Sequence, residues 1–419
     1  MTPTEAAFLL WHHSLASAAK RAEIEGLGAV QIIVAGLANE GAGVAVKAAC
    51  LGLLRSLAKD DNACQTLATM KIDKFSAQPM PLCLVLEFLE SSEAAQEAAL
   101  ETFRELAVRS GPKAVLMKKA ADIPWRRLVN LLPSLSPKLC ATLCGTLRAL
   151  TAGKPDLRAK LVALGAVGRL CKIMGGELED QHLEDPADLL SKLLEAAPQR
   201  GDLLGPGLVD TLLGLLKTMT IPPDARPGDE GYEDGFRLET KLHLVHCLYS
   251  LVDTRRGVEV LTACGAVAQL VNLFHYCVAQ VEADGAGGAG KKAKKGKKGG
   301  GGMPPVMETT ILHLTGCLRH LAIDDSNKVL IMGLDGIPLL NKMYTAAKAK
   351  IRANVRAILG ELGMIAECRE RMMRENTPDV LCGLCQTPMT LASVPRRPET
   401  APSEITAASL KRVRSEKAI

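Results

Sequence analysis

With 47% apolar but only 3% aromatic side chains, a chain of 419 residues has to build its core from Ala, Leu, Val and Cys, which suits close-packed helices, and no strand-rich stretch competes. Thirteen cysteines, odd in number and irregularly spaced, behind an N-terminus (MTPTEAAFLLWHH) without a basic leader, exclude a disulfide framework and point to a reducing compartment. The net charge of +5 belongs to appendages, because six lysines from Lys291 to Lys298 and a tail after Gln386 that adds a net three more leave the body at −4; no apolar run reaches the length of a membrane span.

Met1 to Glu23 reads as a capping helix, with Phe8, Leu9 and Trp11 available to cover the first repeat. From residue 24 to 385 one pattern recurs: a short helix, a glycine corner and a second helix. Gly28 is followed by Val30, Ile33, Val34 and Leu37, Gly165 by Val167, Leu170, Cys171 and Met174, Gly265 by Val267, Leu270, Val271 and Phe274, and Gly336 by Ile337, Leu340 and Tyr344. These are the i, i+3, i+4, i+7 positions of an amphipathic helix. Glycine suits the corner because the residue past a helix end commonly turns left-handed.

A third helix closes each repeat. Its first example carries Val46, Cys50, Leu53, Leu54 and Leu57 on one face and ends in LRSLAKDDN. That phrase returns at Leu106, Leu150, Leu251, Leu321 and Leu362, with a degenerate copy at Leu194, at intervals of 49, 44, 44, 57, 70 and 41 residues. The two long intervals contain inserts, one acidic and Pro/Gly-rich near 220–236 and one Gly/Lys-rich near 284–304. Both fall between a second and a third helix, so both emerge from the same edge. Glu177 to Asp188 reads as an irregular acidic connection, and residues 386–419 as a disordered basic tail.

Three Gly-Ala-Val corners and the phased closing phrases resemble the armadillo repeat family, over about seven repeats. HEAT repeats are the structural runner-up. The resemblance implies an all-α, right-handed superhelical solenoid whose third helices line a concave groove, and a function of binding an extended peptide or a partner domain. In nuclear-import adaptors of this family the groove carries an Asn ladder with Trp four residues earlier. Here the Asn positions hold Ser56, Glu105, Ala149, Ser250, His320 and Glu361, and the Trp positions Gly52, Glu101, Gly145, His246, Gly316 and Ala357, so that role is not implied.

The position before the ladder holds Arg55, Arg104, Arg148 and Arg319, which predicts either a basic stripe for an acidic partner or a set of solvated helix ends. Ser56, His246 and His320 are the hydrogen-bonding candidates beside it. Gly52, Gly145 and Gly316 imply close helix packing or a groove floor left open for a partner's backbone. Glu101 and Glu105 read as a solvated helical pair.

Other motifs carry little. GAGGAG at 285–290 matches a dinucleotide pattern but lacks the preceding strand, since Val281 to Asp284 closes a helix. His243, His246 and Cys247, with His313 and His320 in the next repeat, have the elements of a metal site, but Cys247 and Cys317 hold equivalent core positions. Cys382 and Cys385 form a lone CxxC. No catalytic signature appears and no cofactor is implied. The expectation is a non-enzymatic cytoplasmic scaffold or adaptor for a protein partner, such as an acidic peptide or domain. Two alternatives rest on Lys291, Lys292, Lys294, Lys295, Lys297 and Lys298: a cytoskeletal or ciliary assembly factor tethered to acidic surfaces, and a nucleic-acid-associated factor, in the nucleus, that uses the basic tail as well.

Overall fold

The computed structural model describes residues 3–39, 41–70, 88, 92–118, 120–121, 123–176, 178–197, 200–204, 206–218, 238–287, 303–375 and 377. Both inserts beyond their helical margins, the six lysines, the CxxC and the tail lie outside the described residues. The chain divides into two compact units, Met1–Gly214 and Leu215–Ile419. Among the described residues every regular element is a helix, and no single helix is long and apolar enough to cross a membrane.

The first unit opens with α1 (Pro3–Ala16), α2 (Ala18–Gly26), α3 (Ala29–Ala38), α4 (Val44–Leu57), α5 (Asp61–Thr69), α6 (Glu93–Val108) and α7 (Ser110–Lys118). It continues with α8 (Trp125–Leu131), α9 (Pro137–Thr151), α10 (Pro155–Ala163), α11 (Ala166–Met174), α12 (Glu184–Ala196) and α13 (Pro206–Thr218), the last running across the boundary. The second unit contains α14 (Leu238–Val252), α15 (Arg255–Ala263), α16 (Ala266–Gly287), α17 (Pro305–Leu321), α18 (Asp325–Gly333), α19 (Gly336–Ala346), α20 (Ala349–Leu362) and α21 (Ala366–Arg374).

Three expectations change here. The N-terminal segment is two helices, because the Ser17 side chain accepts a hydrogen bond from the Lys20 amide and starts α2 afresh. The acidic stretch is irregular over residues 178–183, with a 3-10 turn at Asp180–His182, but from Glu184 it opens a third helix, α12, where Glu184 and Asp185 suit the positive end of the helix dipole. Helix α16 continues past Asp284 to Gly287.

The corners follow the glycine rule at three places, with φ of +77° at Gly28, +80° at Gly165 and +73° at Gly265. The second-helix positions predicted after them are all buried. At the fourth corner the left-handed residue is Asp335 (φ +57°), and Gly336 begins α19 instead. Glycine is needed there for space: a Cβ would lie 2.6 Å from Ile331 Cγ2 and 2.7 Å from its carbonyl oxygen.

Third helices lie side by side, α1 on α4, α4 on α6, α6 on α9 and α9 on α12 in the first unit, and α14 on α17 and α17 on α20 in the second. All seven leucines of the closing phrases are at most 1% exposed. Ten described cysteines are free thiols and nine are buried. Burial pushes the Cys64 and Cys277 thiols up to about 12, so they are protonated packing groups.

The closing phrase also controls the next turn. Asp324 caps α18 through the Ser326 amide (2.9 Å), and the Asn327 side chain donates to the Leu321 carbonyl (2.9 Å) and to Thr262 (2.8 Å). The equivalent position in α15 is Gly257, where a Cβ would lie 1.8 Å from the Leu251 carbonyl oxygen. Gly257→Ala should cost ~3 kcal/mol or more, since a backbone atom must move. Gly165→Ala, which meets open space but a left-handed backbone, should cost ~1 kcal/mol. Thermal unfolding followed by circular dichroism should rank the two in that order, and equal midpoints would refute the packing argument.

Candidate functional site on the third-helix face

The exposed face of the third helices is where the arginine column emerges, and in the first unit much of its charge is already answered from within. Arg55 on α4 reaches Glu97 at 3.6 Å and forms a second, closer pair with Glu101, both on α6. Lys138 on α9 completes the cluster through Glu97 at 2.6 Å. That hydrogen bond, against a smaller opposing effect of burial and with Arg55 assisting, holds the Glu97 carboxyl below the usual carboxylate range. Arg148 on α9 pairs with Asp185 at 3.2 Å and with Asp188, both on α12. Glu105 pairs with Arg109 at 3.2 Å, and Arg109 also donates to Asp61 and to the Lys59 carbonyl, tying α6 to the start of α5.

The predicted stripe is therefore interrupted. Arg55 and Arg148 bind neighbouring helices, whereas Arg104 and Arg319 are exposed and form no ion pair with the described residues. Glu101 and Glu105 are not a solvated pair but the acidic halves of two separate inter-residue bridges. Ser56 is also corrected: at 2% exposure it lies under the face, with its hydroxyl enclosed, and cannot present a hydrogen bond to a partner.

The three face glycines are filled by neighbours. A Cβ at Gly52 would meet the Trp11 ring at 2.7 Å, one at Gly145 the Asp185 carboxylate at 2.9 Å, and one at Gly316 the Tyr249 ring at 2.5 Å. Close packing, rather than a vacant floor, explains them. Asp185 can reach Arg148 because Gly145 leaves it room.

In the second unit the face is aromatic. His246 and Tyr249 on α14 and His313 on α17 stack, with ring centroids 4.4 Å apart for His246 and His313 and 5.3 Å for Tyr249 and His313. His320 meets Tyr249 edge-on at 6.5 Å. All four rings are half-buried, and Arg319 stands exposed beside His320. The predicted residues His246 and His320 thus share one face, next to Arg319, with Tyr249, which the sequence argument missed, and His313, which it weighed only as an element of a metal site. Tyr249 was visible there: it occupies the arginine column in the phrase LYSLVDTRRG. The His246 and His313 rings lie against each other, which is packing geometry, and Cys247 and Cys317 are buried.

Burial of His320 lowers its pKa from the ordinary 6.5, with Asp253 opposing and Arg319 assisting. The folded state then binds its proton less readily than the unfolded chain. The stability contributed by neutral His320 is complete above the unfolded pKa and is lost as pH falls through the folded value. Denaturant midpoints between neutral pH and about pH 5 should therefore fall less steeply for His320→Gln than for the unaltered chain; parallel profiles would exclude this histidine as the cause.

The arginines should separate by role. Arg148→Ala, which leaves Asp185 and the 7% exposed Asp188 without their cation, should cost ~1–2 kcal/mol after allowance for solvent at the arginine. Arg104→Ala should leave the unfolding midpoint within ~0.5 kcal/mol of the unaltered chain. The opposite ranking in urea unfolding would show that the ion pairs have been misassigned.

No family model matches the sequence, and no curated protein matches it. Solved structures do. An engineered protein aligns with a TM-score of 0.58 at 16% identity, covering 92% of this chain and 81% of that one. A chain from a structure on the phosphorylation-switched interaction between cadherin and β-catenin aligns with a TM-score of 0.63 at 12% identity, covering 88% of this chain and 60% of that one. A designed armadillo repeat protein in complex with a (KR)4 peptide also matches, with a TM-score of 0.45 at 15% identity over 67% of this chain and 99% of that one. At these identities the likeness is one of fold alone; the first two structures carry it, and with the left-handed corners and stacked third helices it gives this all-α solenoid an armadillo-like fold.

Proposed function

We propose that the chain is a non-enzymatic protein-binding scaffold that holds a partner segment on the third-helix face of the second unit. The observation that carries this is the half-buried stack of His246, His313 and Tyr249 beside an exposed Arg319 that has no internal counter-ion among the described residues. A planar or apolar side chain gains contact on such a stack, and a carboxylate gains a bidentate guanidinium. An acidic peptide or domain with an interspersed apolar anchor fits both. Arg104 offers a second exposed cation, on the first unit, for the same kind of partner. Arg55 and Arg148 take no part, since each is committed to carboxylates of its own fold.

The use of an armadillo-like solenoid between proteins is consistent with the structure on cadherin and β-catenin that it resembles in fold. Support also comes from the shape of stacked repeats, which expose a continuous side-chain face without enclosing a water-excluding site.

The test is quantitative co-purification from native lysate, comparing the unaltered chain with Arg319→Glu, with Tyr249→Ala, and with a variant lacking residues 285–302. Loss of the principal partner with Arg319→Glu, by about 10-fold or more, and its retention without the lysine segment, is the expected result. Loss only with the deletion would replace this proposal with an electrostatic tether to an acidic surface. Circular dichroism should show the same helical content for Arg319→Glu as for the unaltered chain.

A further inference from the structure

Helix α1 packs on α4 and α2 with one side and leaves the other bare. Its inner side holds Ser14, fully buried and donating to the Trp11 carbonyl at 2.6 Å, and the Trp11 ring that fills the space over Gly52. Its outer side carries Phe8, Leu9, His12, Leu15 and Ala16, spaced so that they form one stripe along the helix. Phe8 is 37% exposed, Leu9 60% and Leu15 53%. Each interior third helix of the first unit has a neighbour on both sides, as α4 has in α1 and α6. The stripe on α1 is therefore a third-helix face of the kind the stack covers everywhere else, continuous with an interface already present.

The occupant can be argued from charge. No Asp, Glu, Lys or Arg occurs from Ala6 to Ala19. A charged partner helix would find nothing to pair with, and a membrane surface is usually met by a helix with Lys or Arg along its polar flank. A second copy of the same neutral stripe meets no like-charge penalty. It is also complementary in size to itself. Antiparallel pairing about a two-fold axis at His12 puts Leu9 against the second copy's Leu15, and Phe8 against its Ala16, a large residue facing a small one. An isologous contact requires this kind of self-match.

We propose that two copies of this chain pair through the outer stripe of α1, antiparallel and centred on His12, extending the third-helix stack of one first unit into that of the other. Sedimentation velocity of the full chain across the micromolar range should show a dimer. The double variant Leu9→Glu, Leu15→Glu should weaken self-association by about 100-fold or more, because like charges then face one another across an apolar seam, with helical circular dichroism unchanged. A chain that stays monomeric throughout that range, or a double variant that dimerises as before, overturns the proposal. A monomer that floats with anionic vesicles would assign the stripe to a lipid surface and overturn it as well. Should the glutamates disturb folding, His12→Cys provides an independent reading: under mild oxidation a crosslink between the two engineered thiols, mapped by mass spectrometry, is expected. Its absence from a dimer places the axis elsewhere and overturns the pairing.

Discussion

The structure depends on the side-by-side contact of consecutive third helices. Each closing phrase sends one leucine, from Leu57 to Leu362, into the layer between its own helix and its neighbours, and none of these retains measurable contact with water beyond 1%. A fully buried leucine contributes about 1.5–3 kcal/mol relative to an exposed one. A single repeat could not use that energy, because its leucine would have nothing to lie against. Stability of this kind belongs to interfaces, which is why the same phrase has to recur in repeat after repeat, whatever insert lies between.

Close approach then dictates what the exposed side of those helices can display. At three glycines of the third helices the adjoining helix inserts a ring or a carboxylate: Trp11 at Gly52, Asp185 at Gly145, Tyr249 at Gly316. The inserted group differs, and with it the local character of the face. Beside Gly145 a carboxylate recruits Arg148, and the charge is settled internally. Beside Gly316 a tyrosine ring joins two histidines, and Arg319 is left to solvent.

Much of this architecture was legible in the sequence, because its signals are local. The corners at Gly28, Gly165 and Gly265, and the apolar positions after them, follow from backbone geometry and helical period alone. Asp335 was not legible as the turning residue, since the neighbouring Gly336 carries the stronger compositional signal while serving a spatial need. The arginine column could be read, but its ion pairs could not. Arg55 finds Glu97 and Glu101, and Arg148 finds Asp185 and Asp188, across repeats some 40 residues apart, a relation set by which helix lies next in space. Extending the irregular connection through Asp188 hid that Asp185 and Asp188 stand on a helix beside Arg148. Ser56 failed as a candidate for the same reason: column position does not say whether a side chain points into the layer or out of it.

The corner at Asp335 has a consequence of its own. A glycine there would turn as easily, yet it would offer no side chain, while Asp335 extends its carboxylate to Arg371 on α21 at 2.7 Å. A non-glycine residue also narrows the wandering of the unfolded chain. This corner thus acts as a clasp, fastening α21 to the bend of the repeat before it. For α21 to leave its neighbours, that clasp has to open.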